Sequence, residues 1–172
     1  MTVSNLKPNE YSTYYQSYLN MVSAETDLIT GFNNNTNTVL EFFQSMPSEK
    51  LNFAYAEGKW TIKEVFQHLI DTERVFQYRC FCIARHDKTP LPGFDENDYV
   101  PTSNANAKSI ELLIEEFKTV RQSFVALLNS LNNEDLQAIG TVNGNAMSAR
   151  AIAFIILGHY LWHINVIKAR YL

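Results

Sequence analysis

Apolar side chains recur at three- and four-residue steps in four separate stretches of this chain, a pattern that leaves little open to it except a bundle of helices. The first stretch runs from Thr26 to Met46, with Leu28, Phe32, Val39, Phe43 and Met46 on one face and a polar interruption at Asn35 and Thr36. The second runs from Thr61 to Arg85 and has the sharpest start: in "WTIKEV", Thr61 is placed to cap the helix, Glu64 to reach back, and Trp60 to staple against Val65. The third, Ala107 to Leu131, is an ordinary amphipathic helix built on Ile110, Leu113, Ile114, Phe117, Phe124, Leu127, Leu128 and Leu131. The fourth, Ser148 to Tyr171, carries Ile152, Ile156, His159, His163 and Ile167 at 4-3-4-4 spacing, so two imidazoles fall on its buried stripe.

The 172 residues suit one domain able to bury ~70% of its unfolded surface. Residues 26–172 are expected to form the bundle, with residues 1–22, rich in tyrosine, packing on it as a short helix. Six glycines and five prolines are too few to break long elements, except where three prolines and a glycine fall together in "HDKTPLPGFDENDYVPTSNANA". That stretch predicts a long crossover or functional loop between the second and third helices of an all-α four-helix bundle.

A net charge of −4, with no cluster of Lys and Arg, argues against nucleic acid as a partner. Cys80 and Cys82 lie two apart on a predicted helix, point to different faces and cannot bridge within it, which fits a reducing compartment. The opening "MTVSNLKPNEYSTYY" has no charged start followed by an apolar run, and no stretch holds the ~18 uninterrupted apolar residues that span a bilayer. The expectation is a cytoplasmic protein without a membrane partner.

Four residues apart on a helix, His159 and His163 project about 5–6 Å from one another, close enough to share one ion. The plain alternative is two core histidines with local partners. His68, on an inner stripe with Val65, Thr72, Val75 and Arg79, tips the balance toward a metal. Three buried imidazoles without partners would cost ~1–3 kcal/mol each, whereas one divalent ion satisfies them together and keeps an open coordination position. His86, beside Asp87 at the helix end, reads as exposed. Glu73 lies on the inner face and is the candidate catalytic acid or base; Asp71 reads as a surface ion pair with Arg74. Arg79 and Arg150 are candidates to bind a substrate or cofactor carboxylate. Asp95 and Asp98 suit turn caps, and the cysteines suit the core.

The segment "GKWTIKEVFQHLIDTERVFQYRCFCIARHDKTPLPGFDENDYV", followed by the terminal "GHYLWHINVIKARYL", resembles the DinB superfamily and, within it, the YfiT-like branch. The resemblance is clearest from Tyr55 to Leu172. It implies a four-helix bundle with one long crossover and a divalent metal, zinc or nickel, held by one histidine of the second helix and two of the fourth. Those positions are His68, His159 and His163. Relatives often end in "HExHH", whereas this chain has Tyr160 and Trp162 in place of an acid and an extra histidine. The resemblance also implies a homodimer and a small-molecule substrate. It implies either a transferase using a low-molecular-weight thiol of the bacillithiol or mycothiol type, or a metal-dependent hydrolase. The transferase is the expectation, since no acid stands at position 160 and three neutral histidines leave the ion its full charge. A third reading is a non-catalytic, stress-response bundle whose ion ties helices together.

Overall fold

The computed structural model describes residues 1–172. Its helices are α1 (Gln16–Leu19), α2 (Leu28–Gln44), α3 (Ile62–Ala84), α4 (Glu96–Thr102), α5 (Ile110–Asn129), α6 (Asn133–Gln137) and α7 (Ala149–Arg170), and a hairpin of β1 (Ile139–Val142) and β2 (Asn145–Ser148) precedes α7. The four predicted helices are α2, α3, α5 and α7, each starting at a side-chain cap. Asp27, Thr61, Ser109 and Ser148 accept from backbone N–H groups of the first turns, and Thr61 and Glu64 complete the expected capping box.

Around the bundle the order is α2, α5, α3, α7, since α3 packs on α7 and α5, and α2 packs on α5 and α7. Consecutive helices α2 and α3 are thus diagonal, meeting through the core where Phe43 and Phe66 stack 3.7 Å apart. That arrangement puts the faces of α3 and α7 that carry the histidines against each other. By length and mean hydropathy, 1.4 over its most apolar 18 residues, α7 meets the requirements of a membrane span, although histidines interrupt it. In the fold, 72% of that window is buried, enclosed by α1, α2 and α3.

The crossover after α3 is more ordered than its prolines suggest. Asp95 caps the short α4 by accepting from the Asn97 N–H at 2.9 Å. Upstream, Leu91 donates to Thr141 O and accepts from Asn143 N, each at 2.9 Å, so the loop runs beside β1 as a third strand at one bridge. The hairpin itself turns at Asn143 (φ 47°) and Gly144 (φ 74°), the left-handed pair that an Asn-Gly type I′ turn requires.

Asn35 and Thr36, the polar gap in α2, face a charge. Arg121 of α5, only 1% exposed, donates from Nε and Nη2 to the Glu73 carboxylate at 2.7 and 3.0 Å and from Nη1 to Asn35 Oδ1 at 2.9 Å. Asn35 in turn donates to Leu157 O at 3.2 Å, tying α2 to α7. A buried pair of this kind is costly to break, because removing one partner strands the other. Arg121→Ala is therefore expected to lower unfolding free energy by about 3–5 kcal/mol in urea titrations. The double change Arg121→Met with Glu73→Leu should lose much less, and equal losses would show that the pair contributes through packing rather than charge.

Candidate metal centre

His68 comes from the second turn of α3, and His159 and His163 from successive turns of α7. Their ring centroids lie 4.6 to 5.0 Å apart, and one ligand nitrogen from each falls within 4.8 Å of the others. Nε2 of His68 stands 3.2 Å from Nε2 of His159. That is near the roughly 3.3 Å between two imidazole nitrogens that each bind one tetrahedral ion at about 2.0 Å. The three residues are 7%, 5% and 9% exposed, and no carboxylate shares the cluster.

Burial keeps all three rings neutral. It pulls His68 from an ordinary 6.5 to about 4; burial, then the proximity of His68, pulls His163 to about 3. Burial, then the proximity of His163 and of His68, holds His159 well below its ordinary value too. Neutral imidazole is the ligand form. Nδ1 of His159 is buried with no hydrogen-bond partner, and Nδ1 of His68 has only Thr72 Oγ1 at 3.5 Å. Three converging neutral donors with an orphaned nitrogen among them fit a divalent ion better than they fit a satisfied core.

Aromatic side chains wall the cluster. Trp60 lies 4.9 Å from His68, Trp162 4.8 Å from His163, and Tyr18 sits edge-on 5.1 Å from His159, all between ring centroids. Tyr18 reaches that place because Gly158 lets the N-terminal segment lie directly on α7: a Cβ on Gly158 would stand 1.9 Å from the Tyr18 carbonyl oxygen. Beyond the wall opens a cavity of about 590 Å³, in the range of small-molecule sites. Its floor is the stripe His68, Thr72, Phe76 and Arg79 of α3 together with His159 and His163. Its rim includes Tyr14, Tyr15 and Phe94, with Asn143 and Asn145 of the hairpin, and Glu96 is its one carboxylate.

The other sequence candidates separate cleanly. Arg79 faces the cavity. Glu73 does not: both its oxygens are taken by Arg121, and it is absent from the cavity wall, which corrects the expectation of a base beside the metal. Arg150 is also spoken for, in a buried pair with Glu10 that Ser148 completes by donating to the same carboxylate at 2.7 Å. Likewise, Asn35 and Thr36 hold Arg121 rather than opening onto the site. Asp71 pairs with Arg74 at 2.8 Å and His86 lies exposed beside Asp135 at 3.4 Å, both away from the cluster. Cys80 is buried, its thiol pushed up to about 12 by burial, so it is inert core. Periodicity missed the N-terminal tyrosines and the hairpin asparagines, although the Asn143-Gly144 pair is a hairpin signal legible in sequence.

Comparisons with known proteins bear on the family and the fold. The sequence profile of the DinB superfamily matches residues 32–167. A protein of Oceanobacillus iheyensis, provisionally named a metal-dependent hydrolase, is 26% identical over 136 residues, covering 76% of this chain and 78% of that one. The solved structure of YfiT from Bacillus subtilis, itself provisionally described as a metal-dependent hydrolase with an unusual four-helix bundle topology, superposes with a TM-score of 0.69 at 16% identity, over 96% of this chain and 93% of that one. A mycothiol-dependent maleylpyruvate isomerase superposes with a TM-score of 0.67 at 11% identity, over 90% of this chain and 62% of the isomerase.

Two measurements check the site. Protein purified without a histidine tag should carry close to one divalent ion per chain by elemental analysis, and His68→Ala or His163→Ala should lose at least tenfold in metal affinity. Full retention in both variants would remove the triad. In chelator-treated protein the unfolded chain binds protons on these rings near pH 6.5, while folded His68 does so only near about pH 4 and folded His163 near about 3. The unfolded state thus takes up more protons in that window, and urea midpoints should fall as pH drops from 7 to 4, with a shallower fall in His159→Gln.

Proposed function

The chain belongs to the DinB superfamily, and from that premise we propose that it is a divalent-metal-dependent enzyme that activates a low-molecular-weight thiol for transfer to an electrophilic small molecule. The observation that carries this reading is the cavity: about 590 Å³ of space stands over three neutral imidazoles with no carboxylate in their cluster. When bound, a divalent ion supplies Lewis acidity, drawing a coordinated thiol or water toward its deprotonated form near neutral pH. His68, His159 and His163 would hold it. Being neutral, they leave its positive charge uncancelled for an anionic sulfur. Trp60, Tyr18 and Trp162 exclude water from one side of that position and present apolar surface to a thiol's carbon chain. Burial, with Tyr14 adding to it, holds the Tyr18 hydroxyl in its protonated form.

A hydrolase is the second reading, and the names of the relatives favour it. Hydrolysis asks for a base that takes a proton from water, and Glu73 is bound to Arg121. Glu96 is the one carboxylate on the cavity wall and would have to serve.

Metal-loaded protein should accelerate conjugation of monochlorobimane to at least one of bacillithiol, mycothiol, glutathione or cysteine by tenfold or more over free metal, and His163→Ala should abolish the effect. No acceleration with any thiol, together with turnover of an ester or amide panel in its absence, would replace the transferase by the hydrolase.

A further inference from the structure

We propose that the cavity takes an elongated ligand whose carboxylate is bound by Arg79 while its reacting end lies at the three histidines. The inference deepens the reading above, since it rests on this cavity being the substrate site, but it does not depend on the ligand being a thiol.

Among the buried arginines, Arg79 is the one without a carboxylate partner. It is 4% exposed and makes one hydrogen bond, from Nη2 to Pro92 O at 2.7 Å, leaving its other N–H groups without a protein partner. Those nitrogens are not sealed in: the residue lines the cavity, and the sealed, partnerless side-chain atoms of the molecule are His159 Nδ1 and the Tyr160 hydroxyl. The two other fully buried arginines, Arg121 and Arg150, each have a carboxylate, Glu73 and Glu10. Glu96, on the same wall, makes no ion pair with Arg79. Burial accordingly lowers the Arg79 pKa, an effect that the nearby Tyr15 and Tyr99 offset in part.

The guanidinium is also held in place. Its carbon lies 5.2 Å from the centre of the Phe76 ring and 5.3 Å from that of Phe94. The Pro92 carbonyl fixes one edge, and the loop carrying Pro92 and Phe94 is itself fastened to the hairpin through Leu91. A planar fork fixed on one edge and open on the other is the geometry that recognises a carboxylate with two N–H groups. Leaving such a group unpaired in a buried position is unfavourable unless a ligand completes it.

Position along α3 sets the length of that ligand. His68 and Arg79 lie on one helix face, eleven residues apart, a rise of roughly 16 Å at 1.5 Å per residue. Thr72 and Phe76 lie between them on the same cavity floor. Both side chains lean toward the helix N-terminus, Arg79 further because it is longer, and that difference shortens the gap without closing it. A two-carbon acid cannot bridge the two ends; a chain of about eight atoms can.

The test measures binding to metal-loaded protein by titration calorimetry, using 8-mercaptooctanoate against 8-mercaptooctanol, 3-mercaptopropionate against 2-mercaptoethanol, and octanoate against octanol. The acid should bind at least tenfold more tightly than the alcohol in the eight-carbon pairs and by less than threefold in the short pair. Arg79→Gln should erase the eight-carbon preference while leaving alcohol binding and metal content unchanged, and Arg79→Lys should restore part of it. Equal affinity for acid and alcohol at both lengths in the unaltered protein would overturn the inference even if Arg79→Gln failed to fold. In that outcome, tight binding of both thiols would leave the thiol-transfer reading standing. An Arg79-dependent preference for octanoate, with no gain from sulfur, would instead support the inference and count against the thiol.

Discussion

α7 is apolar on nearly every side, and a helix of that kind has to be enclosed. Two neighbours in a four-helix bundle cover only part of its circumference, here α2 and α3. The remaining side is covered by the N-terminal segment, whose α1 lies close enough that Gly158 admits no side chain against the Tyr18 backbone. Enclosure therefore decides where the site can be. His159 and His163 face α3 beneath a lid of tyrosines, because the segment that shields α7 from water is the same one that roofs the histidines.

Clamping that segment down falls to the Glu10–Arg150 pair. Glu10 sits in the N-terminal segment, while Arg150 and Ser148 stand at the start of α7. Burial opposes the Glu10 charge, and Arg150, Ser148 and the Lys7 N–H together overcome it and hold the carboxyl below its ordinary range. The pair thus spends Arg150 on architecture, and the Glu73–Arg121 pair spends Glu73 in the same way at the junction of α2, α3 and α5.

These two pairs mark the boundary of what periodicity can read. Helix starts are local, so Thr61 and Glu64 were legible in six residues, and the histidines were legible because spacing on one helix and position on an inner stripe are local properties too. Glu73 also read correctly as inward. What it faced did not, since Arg121 lies 48 residues away in sequence, on another helix. The polar gap at Asn35 and Thr36 was the visible half of that network, and Arg121, the other half, lies on a different helix. The N-terminal lid and the loop clipped to the hairpin through Leu91 depend on contacts between distant segments, which periodicity does not encode.

Satisfaction of polar groups then separates structure from function in this bundle. Lys63 donates to the carbonyls of Asn106 and Lys108, Gln67 bonds Asp71 and Glu116, and Glu10, Glu73, Arg121 and Arg150 neutralise one another in pairs. Folding alone accounts for each of them. The groups that folding leaves incomplete are the three imidazoles and the Arg79 guanidinium, and all four open onto one cavity. The Tyr160 hydroxyl is the exception, and its ring is already covered by Arg121 at 4.9 Å. Leaving four buried nitrogen-bearing groups short of partners lowers stability, and their convergence on a single volume means that one bound ion and one bound anion would repair nearly the whole deficit. The same accounting explains why the fold keeps its carboxylates away from the histidines: an acid among them would neutralise the centre and remove the reason for an anion to enter.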